Sequence, residues 1–595
     1  MKTGVRSPRL PGIVFFGIVM ANNAIEIKGL SFTYKNSDSE VLKDVDLSIE
    51  EGKFTVIMGR TGAGKTTLAM LPNGIIPQLV EGTVKGTIIA GGKDSSKYRV
   101  QTMAREIGLV LQDPETQIFG RTVDEDTAFG PRNYLVPRDE IKERIKSALN
   151  KVRLDGYEKR QTSQLSGGEK QRLAIAGILA MDPSIIILDE PTSELDPIGR
   201  EEIYSTMVSL QRDQKKTVVA VEHSSQEISE KADNIVVLSD SHVVWQGCPN
   251  DFFRELDLVE KYGIKPLPVS KVGWELYKKG FIPKEEIPLS VDDAYALVVR
   301  LLDRRKLEFS PLEAPKGERE KLIEVSDVHY QYDKSKEALK GVSFDIYEGD
   351  YVALIGQNGA GKTTLAKHFN SLFKPTSGRI LVCGKDTKNE EPNTLAEQIG
   401  YVFQNPDNQI FSTSVYKEME YGLKALKLSE EEMSKRIHEI ARLLGIEKVL
   451  DEHPFSLGKG ERQRVAVASI LVLKPKILVV DEPTTGQDWD GIQNMMKLID
   501  ELHANGTTIV MITHDMDVVA THANRVIVMA KGSIVADGSV RDVFKQEKAL
   551  KDAYVARPQI PELSERLGLQ GMALTAQELG GALISSLEAS REASR

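Results

Sequence analysis

At 595 residues the chain exceeds what one hydrophobic core can hold, so roughly three or four domains are expected. Its 41% hydrophobic and 28% charged residues are those of an ordinary globular protein, and a net charge of −10 argues against nucleic acid as the main partner. Its two cysteines, Cys248 and Cys383, exclude a disulfide scaffold, a zinc ribbon and an iron–sulfur cluster, and suit a reducing cytoplasm.

In chain order, the first apolar run is PGIVFFGIVMA, Pro11–Ala21, preceded by Lys2, Arg6 and Arg9. A basic start before a short apolar core resembles a secretory signal, and the run is too short to span a bilayer. MANNAIEIKGLSFTY begins cleanly just before the first strand, so a start at Met20 is favoured and residues 1–20 are set apart as an N-terminal extension. No other run is long and apolar enough for a transmembrane helix, so the chain is not expected to carry anything across a membrane by itself.

FTVIMG, Phe54–Gly59, reads as a buried strand and leads into GRTGAGKT, Gly59–Thr66, which fits G-x-x-x-x-G-K-[ST]. The TLAM that follows suits the first turn of a helix. The same order returns in YVALIG, Tyr351–Gly356, then GQNGAGKT, Gly356–Thr363, then TLAKHF. Such a loop turns backbone N–H groups toward nucleotide phosphates, its Lys reaches the terminal phosphates and its hydroxyl holds Mg²⁺. The expected nucleotide ligands are Gly59, Arg60, Thr61, Gly62, Ala63, Gly64, Lys65, Thr66 and Thr67, and in the second half Gly356, Gln357, Asn358, Gly359, Ala360, Gly361, Lys362, Thr363 and Thr364. Thr66 and Thr363 are the hydroxyls aimed at the metal.

Asp189 and Asp481 end the apolar runs IIIL and ILVV, where a strand-end carboxylate can bind Mg²⁺ directly or through water. Glu190 and Glu482 come next and are candidate general bases for an attacking water. The two halves match well beyond these motifs. IEIKGLSFTY (Ile25–Tyr34) aligns with IEVSDVHYQY (Ile323–Tyr332), and GLVLQDPETQIFG (Gly108–Gly120) with GYVFQNPDNQIFS (Gly400–Ser412). IIILDEPTSELD (Ile185–Asp196) aligns with ILVVDEPTTGQD (Ile477–Asp488), and VVAVEHS (Val218–Ser224) with IVMITHD (Ile509–Asp515).

With these motifs in order, and LSGGEKQR at Leu165–Arg172, each half resembles the ATP-binding cassette of ABC transporters. The segments DPETQIF and NPDNQIF, with AFGPRN at Ala128–Asn133, resemble more narrowly the energy-coupling factor (ECF) importers of vitamins and metal ions. The resemblance implies an α/β fold of two tandem P-loop cassettes, each with a RecA-like core, an antiparallel β part and a helical subdomain. The cassettes are expected at residues 21–248 and 321–547, with a connector or helical appendage at 249–320 and a C-terminal appendage and tail at 548–595.

The resemblance also implies roles. His223 and His514 would contact the γ-phosphate and hold the attacking water, and Gln112 and Gln404 would reach Mg²⁺ and link it to a membrane partner. Tyr34 and Tyr332 would stack on adenine. Ser166, Gly167 and Gly168 would bind the γ-phosphate held by the opposite cassette; the second half has Gly458, Lys459 and Gly460 there, without the hydroxyl. In a head-to-tail pair, the Lys362 site with Asp481, Glu482 and His514 would thus be complete. The Lys65 site would lack the serine, with Lys459 offering partial compensation by charge.

The implied function is an ATPase subunit with ATP and Mg²⁺ as cofactors, peripheral on the cytoplasmic face of the cell membrane. Its partners would be a coupling subunit and a substrate-binding membrane subunit, and both cassettes of the pair would come from one chain. A sugar-importer ATPase and a tandem cassette protein acting on ribosomes are the alternatives. The near-neutral, proline-containing connector argues against the ribosomal one, and the QIF segments against the sugar importer. YGIKPLPVSKVGWEL and IPLSVDDAYALV in the connector are echoed by YVARPQIPEL and MALTAQELGGALI near the C-terminus, which suggests a small helical appendage after each cassette. The polar end SSLEASREASR is expected to be disordered at its tip.

Overall fold

The computed structural model describes residues 22–193, 195–302, 307, 309, 319–333, 336–426 and 428–593. The extension at residues 1–20 lies outside the described residues, as does much of the second half of the connector.

Each half builds two sheets. In the first, an antiparallel sheet runs in the order Leu42–Glu50, Asn23–Tyr34, Gly82–Ala90, Lys93–Asp94. Ile27 stands opposite Leu47 on one side and Ile88 on the other. Leu42–Glu50 largely alternates buried and exposed residues, as a sheet with one wet face requires. The six-stranded sheet runs Ile107–Val110, Ile185–Asp189, Thr217–Val221, Phe54–Gly59, Asn234–Ser239, His242–Gly247, parallel except for its last pair. Its central strands are buried at every residue, because helices cover one face and the antiparallel sheet with the helix Lys65–Met70 covers the other.

The second half repeats both sheets in the same strand order. Its six-stranded sheet runs Ile399–Val402, Ile477–Asp481, Thr508–Ile512, Tyr351–Ile355, Arg525–Ala530, Ser533–Ser539. The architecture is therefore α/β, with two tandem cassettes. A helical region follows the edge strand of each large sheet, Ile107–Val110 or Ile399–Val402, and includes Arg138–Lys151 and Gly167–Leu179 in the first half and Glu430–Leu443 and Lys459–Leu471 in the second.

The segments after each cassette are helical and pack on one another. Pro268–Lys278 lies against Ala576–Ala593, and Val291–Leu302 against Gln559–Arg566. Ile560, Leu563, Leu579, Leu583 and Leu587 join the same hydrophobic core as Trp274, Leu276, Leu297 and Val298. Arg566 pairs with Asp292 at 2.7 Å and Lys279 with Glu588 at 3.2 Å across this junction. The C-terminal appendage is helical to Ala593, and the tip of the chain, residues 594–595, lies outside the described residues. Leu579, Leu583 and Leu587 recur at a spacing of four, so one face of an otherwise polar stretch is buried.

Candidate functional site

Each P-loop is shaped by a glycine that no other residue could replace. Gly59 has φ +137° and Gly356 φ +141°. A Cβ at these positions would stand 2.1 Å from the carbonyl oxygens of Leu238 and Met529. Lys65 Nζ donates to the carbonyls of Gly59 and Arg60 at 2.8 and 2.9 Å, and Lys362 Nζ to those of Gly356 and Gln357 at 2.6 and 3.0 Å. Burial lowers the pKa of both lysines, while Glu190 and Glu482 respectively lead the opposing charges. Thr66 opens the helix Lys65–Met70 beside Asp189, and Thr363 Oγ1 lies 3.3 Å from Asp481 Oδ1. Tyr34 and Tyr332 bond through their hydroxyls to Thr67 and Thr364 at 2.8 and 2.7 Å, which sets their rings against the P-loop helices.

Burial pushes the Asp189 carboxyl up to about 6, with Glu190 adding to the shift and Thr66 and Lys65 opposing it. Asp189 Oδ1 is buried without a hydrogen-bond partner among the described residues. Asp481 is also raised by burial, against hydrogen bonds from Tyr401 and Thr363. The Tyr401 bond is 2.8 Å long and has no counterpart in the first half, where Leu109 occupies the aligned position.

Glu190 and Glu482 both adopt positive φ, 46° and 50°. A bulky residue is held in that region only when its surroundings impose it, and such strain gathers at working sites. The imposing contacts match: Glu190 N donates to Val221 O at 3.0 Å and Glu482 N to Ile512 O at 2.8 Å. Gln112 Nε2 donates to Glu190 Oε2 at 2.7 Å. His223 Nε2 lies 3.4 Å from Glu190 Oε1, and His514 Nδ1 lies 2.8 Å from Glu482 Oε2. A cavity of about 140 Å³ gathers Gly359, Lys362, Thr363, Gln404, Glu482 and His514.

The signature segments are not drawn into that cavity. Ser166, Gly167 and Gly168 do not line it; they begin the helix Gly167–Leu179, where Ser166 Oγ caps Glu169 N at 3.3 Å and Glu169 returns a bond to Ser166 N. Gly458 and Gly460 begin the matching helix, with Glu461 accepting from Gly458 N at 3.2 Å; the side chain of Lys459 is not among those described.

Contacts between the halves bring in residues that the motifs did not single out. Asp488 Oδ2 accepts from Thr61 N at 2.7 Å, and Asp196 Oδ2 from Asn358 N at 3.4 Å. The last aspartate of each aligned motif thus reaches the other half's P-loop. Their signal lay in that alignment. Arg60 adds a 2.6 Å pair with Asp490, whose aligned partner in the first half is Ile198.

A scan against family models matches residues 42–193 and 339–485 to the family described as ABC transporter. The chain belongs to the ABC transporter family. A relative named for an ABC transporter ATP-binding protein in Caldanaerobacter subterraneus subsp. tengcongensis is 41% identical over 93% of this chain and 97% of its own length. One in Methanosarcina mazei is 39% identical over 92% of this chain and 93% of its own. The solved structure of cbiO1 from Clostridium perfringens is 38% identical, covers 42% of this chain and 97% of that one, and has a TM-score of 0.37.

This ABC ATPase binds and hydrolyses ATP. One further carboxylate stands beside the first site. Glu222, the residue before His223, is 3% exposed and accepts from Thr192 N and Oγ1 at 3.2 and 2.7 Å. It ties the segment after Glu190 to the segment bearing His223; the second half has Thr513 there. Burial raises its carboxyl from 4.5 to about 7. The folded chain therefore holds this proton more tightly than the unfolded one. The stability this gives is full below about pH 4.5 and is lost as pH rises to about 7, a difference of roughly 3 kcal/mol. Glu222→Gln keeps the acceptor for Thr192 and should flatten that part of a plot of Tm against pH. An unchanged slope would show that Glu222 does not titrate in this window.

Proposed function

We propose that this chain is the ATPase subunit of an ECF-type membrane importer of a vitamin or metal ion, hydrolysing ATP at two composite sites of unequal activity. The observation that carries the importer reading is an exposed aromatic pair at the same place on both cassettes, in the segments that follow Gln112 and Gln404. Phe119 and Phe129 stack at 5.4 Å and are 69% and 49% exposed. Phe411 and Tyr421 meet edge to face at 4.8 Å and are 62% and 63% exposed. Contiguous apolar surface of this kind marks an interaction site, and Phe119 and Phe411 belong to the QIF segments that resemble the ECF family. Among the described residues no helix is long and apolar enough to cross a membrane, so transport needs separate membrane subunits.

The donors at each site are oxygens, as Mg²⁺ prefers: Thr66 and Asp189 with Gln112 nearby, and Thr363 and Asp481 with Gln404 nearby. The unsatisfied, buried Asp189 Oδ1 fits such a ligand. When bound, the ion supplies charge neutralisation at the β- and γ-phosphates. Around it Lys65 and Lys362 would hold phosphate oxygens, Glu190 and Glu482 would take the proton of the attacking water, and His223 and His514 would keep that water placed. In the closed head-to-tail pair, Ser166–Gly168 would complete the Lys362 site and Gly458–Gly460 the Lys65 site.

Affinity purification of the tagged chain from native membranes in mild detergent, followed by mass spectrometry, tests the importer reading. A small multi-span coupling protein with a substrate-binding membrane subunit is the expected catch. Its loss in a Phe119→Ala, Phe411→Ala double variant would tie it to the aromatic pairs. Recovery of ribosomal proteins without a membrane partner would overturn the proposal.

A further inference from the structure

The two halves are joined at their hydrolytic ends by one residue of the connector. Lys265 lies between the helices Leu256–Lys261 and Pro268–Lys278. Its Nζ is 3.2 and 3.1 Å from the two carboxylate oxygens of Asp515 and 2.7 Å from Asp517 Oδ2. Its carbonyl accepts from Ser225 Oγ. Ser225 follows His223 by two positions, while Asp515 and Asp517 follow His514 by one and three. A single connector residue thus touches both histidine-bearing loops. It lines the cavity of about 480 Å³ between the halves, together with Glu190, His223, His514 and Arg557.

The two ends of this contact differ. Asp515 also caps the helix Met516–His522, accepting from Asp517 N and Val518 N at 3.1 and 3.3 Å. The position of His514, one residue before the cap, is thereby tied to the ion cluster. In the first half the aligned residues are Ser224 and Gln226, and Ser224 makes no side-chain cap bond to the helix Ser225–Lys231. Arg557, at the position in the C-terminal appendage that the YGIKPLP/YVARPQIP echo aligns with Lys265, meets no such acid pair among the described residues. Its guanidinium is held by the Phe544 carbonyl of its own cassette at 2.8 Å and by Glu565 of the appendage. The histidine on the Lys265 side is also the one closer to its glutamate, 2.8 Å against 3.4 Å.

We propose that Lys265 is a positioning residue for the Lys362 site, in which the appendage of the first cassette anchors the histidine loop of the second through Asp515 and Asp517. This goes beyond the missing serine as a source of inequality between the sites, and rests on His514 and Glu482 serving hydrolysis as proposed above. Burial discourages charge on Lys265, but Asp515 and Asp517 outweigh it and raise its pKa, so the clamp stays charged across the working range. Asp515 is correspondingly lowered; burial opposes this, and the Lys265 charge prevails. Misplacing a catalytic group by about 1 Å costs up to about a hundredfold in rate.

The test uses the full chain with Glu190→Gln, so that turnover reports the Lys362 site alone. In that background Lys265→Ala should lower kcat about ten- to a hundredfold with little change in the KM for ATP or in equilibrium ATP binding. Lys265→Arg, which can bridge the same two carboxylates, should restore most of it. Thermal unfolding of both variants separates a local loss from misfolding. An unchanged kcat in Lys265→Ala, or a fall that Lys265→Arg does not repair in a folded chain, overturns the clamp. If Glu482→Gln or His514→Ala leaves turnover intact, the site assignment itself fails and the clamp falls with it, a result distinct from failure at Lys265 alone.

Discussion

Glu482→Gln is expected to remove most of the ATPase rate of the chain, while Glu190→Gln leaves most of it. The two glutamates share sequence context, positive φ and a histidine neighbour, so the motifs that carry them do not by themselves rank the two sites. The difference lies in what would close each site. The Lys362 site would receive Ser166 and two glycines from the other half; the Lys65 site would receive Gly458, Lys459 and Gly460. A general base contributes about 10²–10⁴-fold, and it can only do so where the γ-phosphate is fully held. Glu482→Gln should therefore lower steady-state turnover by about a hundredfold or more, measured as phosphate release at saturating ATP. ATP binding at both P-loops should survive in either variant, because neither glutamate belongs to a cradle. Equal losses in the two variants would contradict the assignment of the faster site.

Much of this arrangement was legible in the sequence because its signals are local. A short apolar run before a glycine loop marks the P-loop strand, and an apolar run ending in Asp-Glu marks the next one. Each motif carries its own context within a dozen residues. The paired appendages were visible as an echo, since Pro268–Lys278 and Gln559–Arg566 follow related Tyr-x-x-Lys/Arg-Pro segments. What escaped notice depends on long-range contact. Asp488 reaches Thr61 from more than 400 positions away, and Lys265 reaches Asp515 from 250. Neither residue sits in a pattern that announces its partner. Glu222 was hidden for another reason: a carboxylate beside a histidine reads as polar, and only burial by the surrounding strands makes it a proton-holding tie.

Restoring the signature of the second half should switch on the weaker site. Gly458 has φ −65° and ψ 158°, the extended conformation that Ser166 has at −66° and 163°. Among the described residues a Cβ at Gly458 would meet only Glu461 Oε2, at 3.7 Å, so serine fits without displacing backbone. The new hydroxyl would cap the helix as Ser166 does, a gain of a few tenths of a kcal/mol over glycine, so the change should not harm folding. Replacing Lys459 with glycine restores the small residue that lets backbone approach phosphate. A hydrogen bond to a charged group contributes about 1.5–3 kcal/mol, which converts to about a tenfold gain in rate or more. The clearest background is Glu482→Gln, where the Lys362 site is silenced. There Gly458→Ser with Lys459→Gly should raise turnover about tenfold or more, and a further Glu190→Gln should abolish the gain. Phosphate release from the three chains decides the matter. If turnover stays flat while the protein folds and binds ATP, the inequality arises from the His223 side of the interface, where the acid pair that anchors the opposite histidine loop is replaced by Ser224 and Gln226.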